Sequence, residues 1–122
     1  MKLHLAPSGG QNLFTAYGAG YVSVNSARQE KNVIVTAERI LEWPIAGFEA
    51  LDTGDFELLL GLQPEIVILG TGCVQRFPAP ALSRPLANAG IGFEAMDTRA
   101  ACRTYNILMA EGRKVAAAIL IA

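Results

Sequence analysis

The sequence is short of the side chains on which most metal and nucleophile chemistry is built. It has one histidine, His4, and two cysteines, Cys73 and Cys102. The cysteines do not fall at the paired spacings that make zinc or haem sites, and His4 lies far from both. A structural metal site is set aside, and with it a cysteine–histidine pair; no serine–acid–histidine set takes their place. Long apolar runs are also missing. No stretch approaches the roughly 20 apolar residues that span a bilayer, residues 1–7 are too short an apolar run for a signal peptide, and no Arg-rich amphipathic leader is present. Direct membrane insertion is therefore not expected, and the expected location is the cytoplasm. Basic clusters are absent too. Ten Lys and Arg stand against eleven Asp and Glu, with no basic run longer than Arg113-Lys114. The electrostatic attraction behind non-specific nucleic-acid binding is largely missing, which excludes nucleic acid as a partner.

What is present is apolar. Hydrophobic residues make up 52% of the 122-residue chain and charged residues 17%, which excludes disorder and points to strands buried on both faces or to a surface used for association. The length suits one α/β domain over residues 1–122, large enough to fold without a disulfide or a metal. Short apolar and aromatic runs at residues 12–17, 21–24 and 32–35 read as an antiparallel β-meander. Gly18-Ala19-Gly20 forms its first turn and Asn25-Ser26-Ala27-Arg28 a longer second one. Residues 39–44 read as an edge strand or loop, since Pro44 holds Trp43 extended. A lone tryptophan is more often packed than displayed.

The second half alternates longer apolar runs with helical patterns, the signature of parallel strands joined by crossover helices. Thr53 is placed to cap a helix through Leu62, with Phe56, Leu59 and Leu60 on one face; Asp52 and Asp55 read as partners of its dipole rather than as an acid–base pair. Residues 65–70, β-branched without alternation, suit the centre of a sheet covered on both faces. Pro80 and Pro85 restrict the next helix, within residues 79–89, to a start near Ala81 to Ser83. A strand at 91–96, a helix capped by Asp97 or Thr98 and ending at Gly112, and a last strand at 115–121 complete the chain. The expected fold is a three-layer α/β structure whose central mixed sheet joins the meander to parallel βαβαβ units.

In parallel units the loops leaving the carboxyl ends of strands gather on one edge. Here those loops are Gly70-Thr71-Gly72-Cys73 and Met96-Asp97-Thr98, expected to be neighbours. Both lead toward helix N-termini, where unpaired N–H groups favour a small anion, and Arg76, Arg99 and Arg103 add positive charge. The same residues also make an ordinary turn and helix cap, and that reading takes precedence. A dinucleotide fingerprint fails, because Gln75 stands where its third glycine should be, and the lysine of a phosphate-binding P-loop is missing. No cofactor is expected. Cys102, although beside Arg103, shares a helical side with Met109 and reads as a packed core thiol; Cys73, in the glycine loop, is the exposed one.

The ordered set Pro64-Glu65-Ile66-Val67-Ile68-Leu69-Gly70-Thr71-Gly72, Met96-Asp97-Thr98 and Ala101-Cys102-Arg103-Thr104-Tyr105-Asn106-Ile107-Leu108 carries a family likeness. So do Trp43-Pro44 and Arg76-Phe77-Pro78. The chain from about Tyr17 onward resembles the small single-domain proteins of unassigned function that include the adipogenesis-associated domain protein and a mitochondrial respiratory complex I assembly factor. The resemblance implies the three-layer α/β fold and a role in assembling or stabilising a membrane-associated protein complex. It implies no reaction and no catalytic residues. Gly70, Thr71, Gly72, Asp97, Thr98, Arg103, Thr104 and Asn106 are motif positions; all but Thr104 form the candidate ligand-binding set of the alternative reading, a domain for a small anionic metabolite. At Cys73 the chain departs from the family, where a polar residue is usual, which weakens a thiol mechanism. The mitochondrial leader of the assembly-factor branch is absent, so the expectation is a bacterial-type cytoplasmic homologue.

Overall fold

Runs of β-branched and apolar residues broken by turn residues give strands first and crossover units second. The computed structural model describes residues 10–121. β1 (Phe14–Gly18), β2 (Tyr21–Val24), β3 (Ala27–Gln29), β4 (Val33–Val35) and β5 (Ile40–Glu42) come first. A 3-10 turn at Phe48–Ala50 leads into α1 (Thr53–Gly61), followed by β6 (Ile66–Thr71), α2 (Arg84–Asn88), β7 (Gly92–Met96), α3 (Thr98–Ala110) and β8 (Val115–Leu120).

The first three strands make a small antiparallel sheet, and the remaining five form a central sheet in the order β5-β4-β8-β6-β7. β4 is antiparallel to β5 and β8, whereas β6 is parallel to both β7 and β8. Successive strand residues point to opposite faces, so β8 divides its side chains between two cores. Val115, Ala117 and Ile119 pack with the small sheet and with Ala101, Cys102, Tyr105 and Met109 of α3. Ala116, Ala118 and Leu120 pack with Trp43, Phe56, Leu59 and Leu86 on the other side. The result is the three-layer mixed-sheet α/β fold that the sequence pattern predicts.

The structure corrects four details. Asn25 and Ser26 both take positive φ, 51° and 69°, which makes the second turn a tight two-residue hairpin of the kind that matches strand twist. Ala27–Gln29 therefore becomes the third strand of the meander, and Val33–Val35 crosses to the central sheet. The centre of that sheet is β8; β6 is its inner neighbour. α2 begins at Arg84, later than expected, so that Pro85 stands in its first turn; deeper in a helix its ring would collide with the carbonyl four residues earlier, and Leu82 N–H already closes a turn on Ala79 O. Asp52 rather than Thr53 caps α1: its carboxylate accepts from Asp55 N–H, and the Asp55 carboxylate accepts from Asp52 N–H.

Asp55 does a second job. Its other oxygen accepts from the indole N–H of buried Trp43 at 3.1 Å. Replacing Asp55 by Ala leaves the Asp52 cap but removes the returning bond from Asp52 N–H and orphans the indole donor, and should cost about 2–3 kcal/mol. Urea unfolding followed by Trp43 fluorescence measures it; a loss below about 0.5 kcal/mol would show that water replaces both bonds.

Candidate functional site

Adjacent parallel strands whose following connections pass to opposite faces leave a crevice at their carboxyl ends. β6 and β7 meet this condition, because α2 packs in the core containing Trp43 and α3 in the core containing Phe14. Gly70-Thr71-Gly72 and Asp97-Thr98 meet there, as the sequence predicts.

The crevice is closed by its own residues. Gly72 takes φ +92°, a turn conformation other residues enter with strain. A Cβ on Gly70 would lie 3.0 Å from Thr98 Oγ1 and Ile119 Cδ1, and 3.2 Å from Ala101 Cβ. Its absence lets the first turn of α3 approach the strand. Thr98 then ties three elements: its N–H donates to Gly72 O at 2.8 Å, its hydroxyl accepts from Gly72 N–H at 2.9 Å and donates to Leu120 O at 2.6 Å. Asp97 accepts from Ala100 N–H at 3.0 Å. Of the first-turn donors that the dipole argument offers to an anion, Thr98 and Ala100 are thus spent. The glycine loop itself leads into a long irregular segment, not directly into a helix.

Arg103 stands one turn and a half into α3 and donates to the Tyr17 hydroxyl at 2.8 Å. With Tyr17, Gly18, Cys73, Asp97 and Arg99 it lines a shallow open depression of about 590 Å³. Arg76 is directed elsewhere, pairing with Glu49 and lying 4.3 Å from the centre of the Phe48 ring; that guanidinium holds the Glu49 carboxyl below its usual range. Asn106 does not line the depression. Its amide accepts from Phe14 N–H at 3.0 Å and donates to Phe14 O at 2.8 Å, which fastens β1 to α3 as a neighbouring strand would. Tyr17 and Gly18 enter from the meander some eighty residues earlier, and no spacing in the sequence signals them.

Cys73 is exposed and Cys102 buried. Burial pushes the Cys102 thiol up to about 12, with nearby Asp97 acting in the same direction and Arg103 opposing. Such a thiol packs and does not attack. His4 lies outside the described residues.

These features define a class: a mixed-sheet α/β domain whose switch-point crevice is bolted shut, leaving a shallow arginine-lined depression beside it. The chain belongs to the family of proteins of unknown function DUF498/DUF598, whose model matches residues 14–120. It is 30% identical over 109 residues to the 13 kDa major membrane protein of Francisella tularensis subsp. holarctica, covering 88% of this chain and 89% of that protein. It is 32% identical over 103 residues to the Bos taurus NADH dehydrogenase (ubiquinone) 1 alpha subcomplex assembly factor 3, covering 83% of this chain but 55% of that protein. The chain thus spans about half the length of that assembly factor. Among solved structures, a Bordetella parapertussis protein superposes with a TM-score of 0.87 at 42% identity, covering 93% of this chain and 98% of the other. A Bordetella pertussis Mth938-like domain gives 0.83 at 36%, covering 98% and 92%. The resemblance read from the sequence motifs is borne out. No helix among the described residues is long and apolar enough to cross a membrane.

Two measurements test this geometry. Thr98→Val keeps the shape but orphans Gly72 N–H and Leu120 O, and should cost about 2–4 kcal/mol in urea unfolding, with Thr98→Ser recovering most of it. The second is alkaline. The Cys102 thiol rises in the folded chain from an ordinary value of 9.0, so its stabilising effect is complete below that pH and is lost as the pH climbs from 9 toward 12, where only the unfolded chain ionises. Burial raises Tyr105 as well and adds to the same trend. Stability should fall through this window, and Cys102→Ala should flatten the fall; an unchanged slope contradicts the account.

Proposed function

We propose that this chain is an assembly-factor-like interaction domain, without a reaction of its own, that works in the cytoplasm by holding a protein of a membrane-associated complex. One observation carries the reading. At the glycine-loop edge Thr98 and Gly72 turn their polar groups inward to hold β6, α3 and β8 together, while the segment leaving that edge turns large apolar side chains outward, Val74 at 62% and Phe77 at 75% exposure. A surface that spends its polar groups on rigidity and displays apolar ones is suited to contact with another protein. The relationship to a protein named as a complex I assembly factor supports the same direction. Crosslinking in cells followed by purification should recover a reproducible protein partner enriched in the membrane fraction. Repeated recovery of the chain alone would count heavily against the proposal.

The alternative is a small anionic metabolite in the depression, favoured by Arg99 and Arg103, neither of which has a carboxylate partner among the described residues. Calorimetric titration with simple carboxylates and phosphates tests it. Binding that weakens about tenfold or more in Arg103→Ala supports this reading, on the scale of one charge-assisted bond; an affinity untouched by that change removes its basis.

A further inference from the structure

Residues 72–83 form a connection longer than most, and the sequence Cys73-Val74-Gln75-Arg76-Phe77-Pro78-Ala79-Pro80 gives it no regular element. It is nevertheless fastened at successive points. The Thr71 hydroxyl donates to Val74 O at 2.7 Å and accepts from Arg76 N–H at 3.2 Å. Gln75 Nε2 donates to Ala95 O of β7 at 3.2 Å, and Arg76 is held by Glu49 and Phe48. Pro78 and Pro80 confine the residues before them, Phe77 and Ala79, to extended backbone. A loop so tied and still exposing Phe77 loses little conformational entropy on binding, and aromatic side chains presented in this way are typical anchors of interfaces. The other exposed large apolar residues among the described ones, Ile40, Leu58 and Ile107, fall one each on β5, α1 and α3.

The charge beside this loop indicates what it meets. Cys73 lines the depression and Val74 follows it, so the base of the loop adjoins Arg99 and Arg103, which lie four residues apart on one face of α3. Arg28, Arg76 and Arg113 each have a glutamate within salt-bridge distance; Arg39, Arg84, Arg99 and Arg103 have none among the described residues, and of these four Arg99 and Arg103 line the depression at the base of the loop. A lipid surface would call for a broad basic face, whereas the chain carries a net charge of −1 and places Glu49 and Asp97 nearby.

We propose that the loop after β6 is a preformed docking finger, which places Val74 and Phe77 in an apolar pocket of a protein partner whose rim bears carboxylates opposite Arg99 and Arg103. This rests on the interaction reading above and specifies its surface. The test places a photoreactive residue at position 77 of the full chain, and at position 58 on α1 as the control, and irradiates living cells. One dominant protein adduct is expected from position 77 and none from 58. The adduct should map to a peptide containing Asp or Glu, fall about tenfold or more with Arg99→Glu, and return when the mapped carboxylate is changed to Arg, as expected for an anchored charge pair. Circular dichroism confirms that the variants fold. Adducts from position 58 alone overturn the finger and leave the interaction reading standing. Adducts from neither position overturn both. Sedimentation of the purified chain with phosphatidylglycerol vesicles, lost in Phe77→Ser, replaces the protein partner with a lipid surface and also overturns the finger.

Discussion

A strand without an exposed residue must be paired on both edges and covered on both faces, because its backbone N–H and C=O groups have no water to turn to. β8 is such a strand, every residue from Val115 to Leu120 being buried. β4 supplies one edge in antiparallel register and β6 the other in parallel register. Its alternating side chains demand a layer on each side, and the two cores follow from that demand. The three alanines at its centre keep both faces shallow, which suits close approach of the layers above and below.

From this strand the condition of the glycine-loop edge follows. α3 must cross from β7 to β8 over the face shared with the meander, and its first turn arrives at the carboxyl ends of β6 and β8 together. Thr98 stands at that junction and bonds to both, through Gly72 and Leu120. The crevice that this topology opens in many α/β proteins is thereby filled. Rigidity gained there is passed to the segment that leaves it, since the Thr71 hydroxyl holds the first residues of the loop carrying Phe77. The stability of the central sheet and the presentation of an apolar side chain are thus linked through two threonines.

Much of the architecture was legible because its determinants are local. Unalternating β-branched residues marked β6, the prolines at 80 and 85 confined α2, and Asp97 with a helical apolar stripe marked α3. Misreadings came where local rules were satisfied in two ways. Asn25-Ser26 allowed both a long and a short turn, and only the register of β2 with β3 selected the short one. Asp52 and Thr53 are both good caps, and the reciprocal bond with Asp55 chose Asp52. In the candidate set the sequence motif groups Asn106 with the loops, yet its side chain completes the edge of β1.

By itself the sequence determined the class of fold, the family and the meeting of the two loops, since periodicity, turn residues and strand order act over a few residues at a time and topology does the rest. Only the tertiary structure decided what those loops do with their polar groups. A hydroxyl such as that of Thr98 bonds to whatever the fold brings within about 3 Å, and here it found Gly72 and Leu120, twenty-six and twenty-two residues away. The direction of Arg103 toward Tyr17, and of Phe77 toward solvent, was decided in the same way, by packing between segments that the sequence keeps far apart.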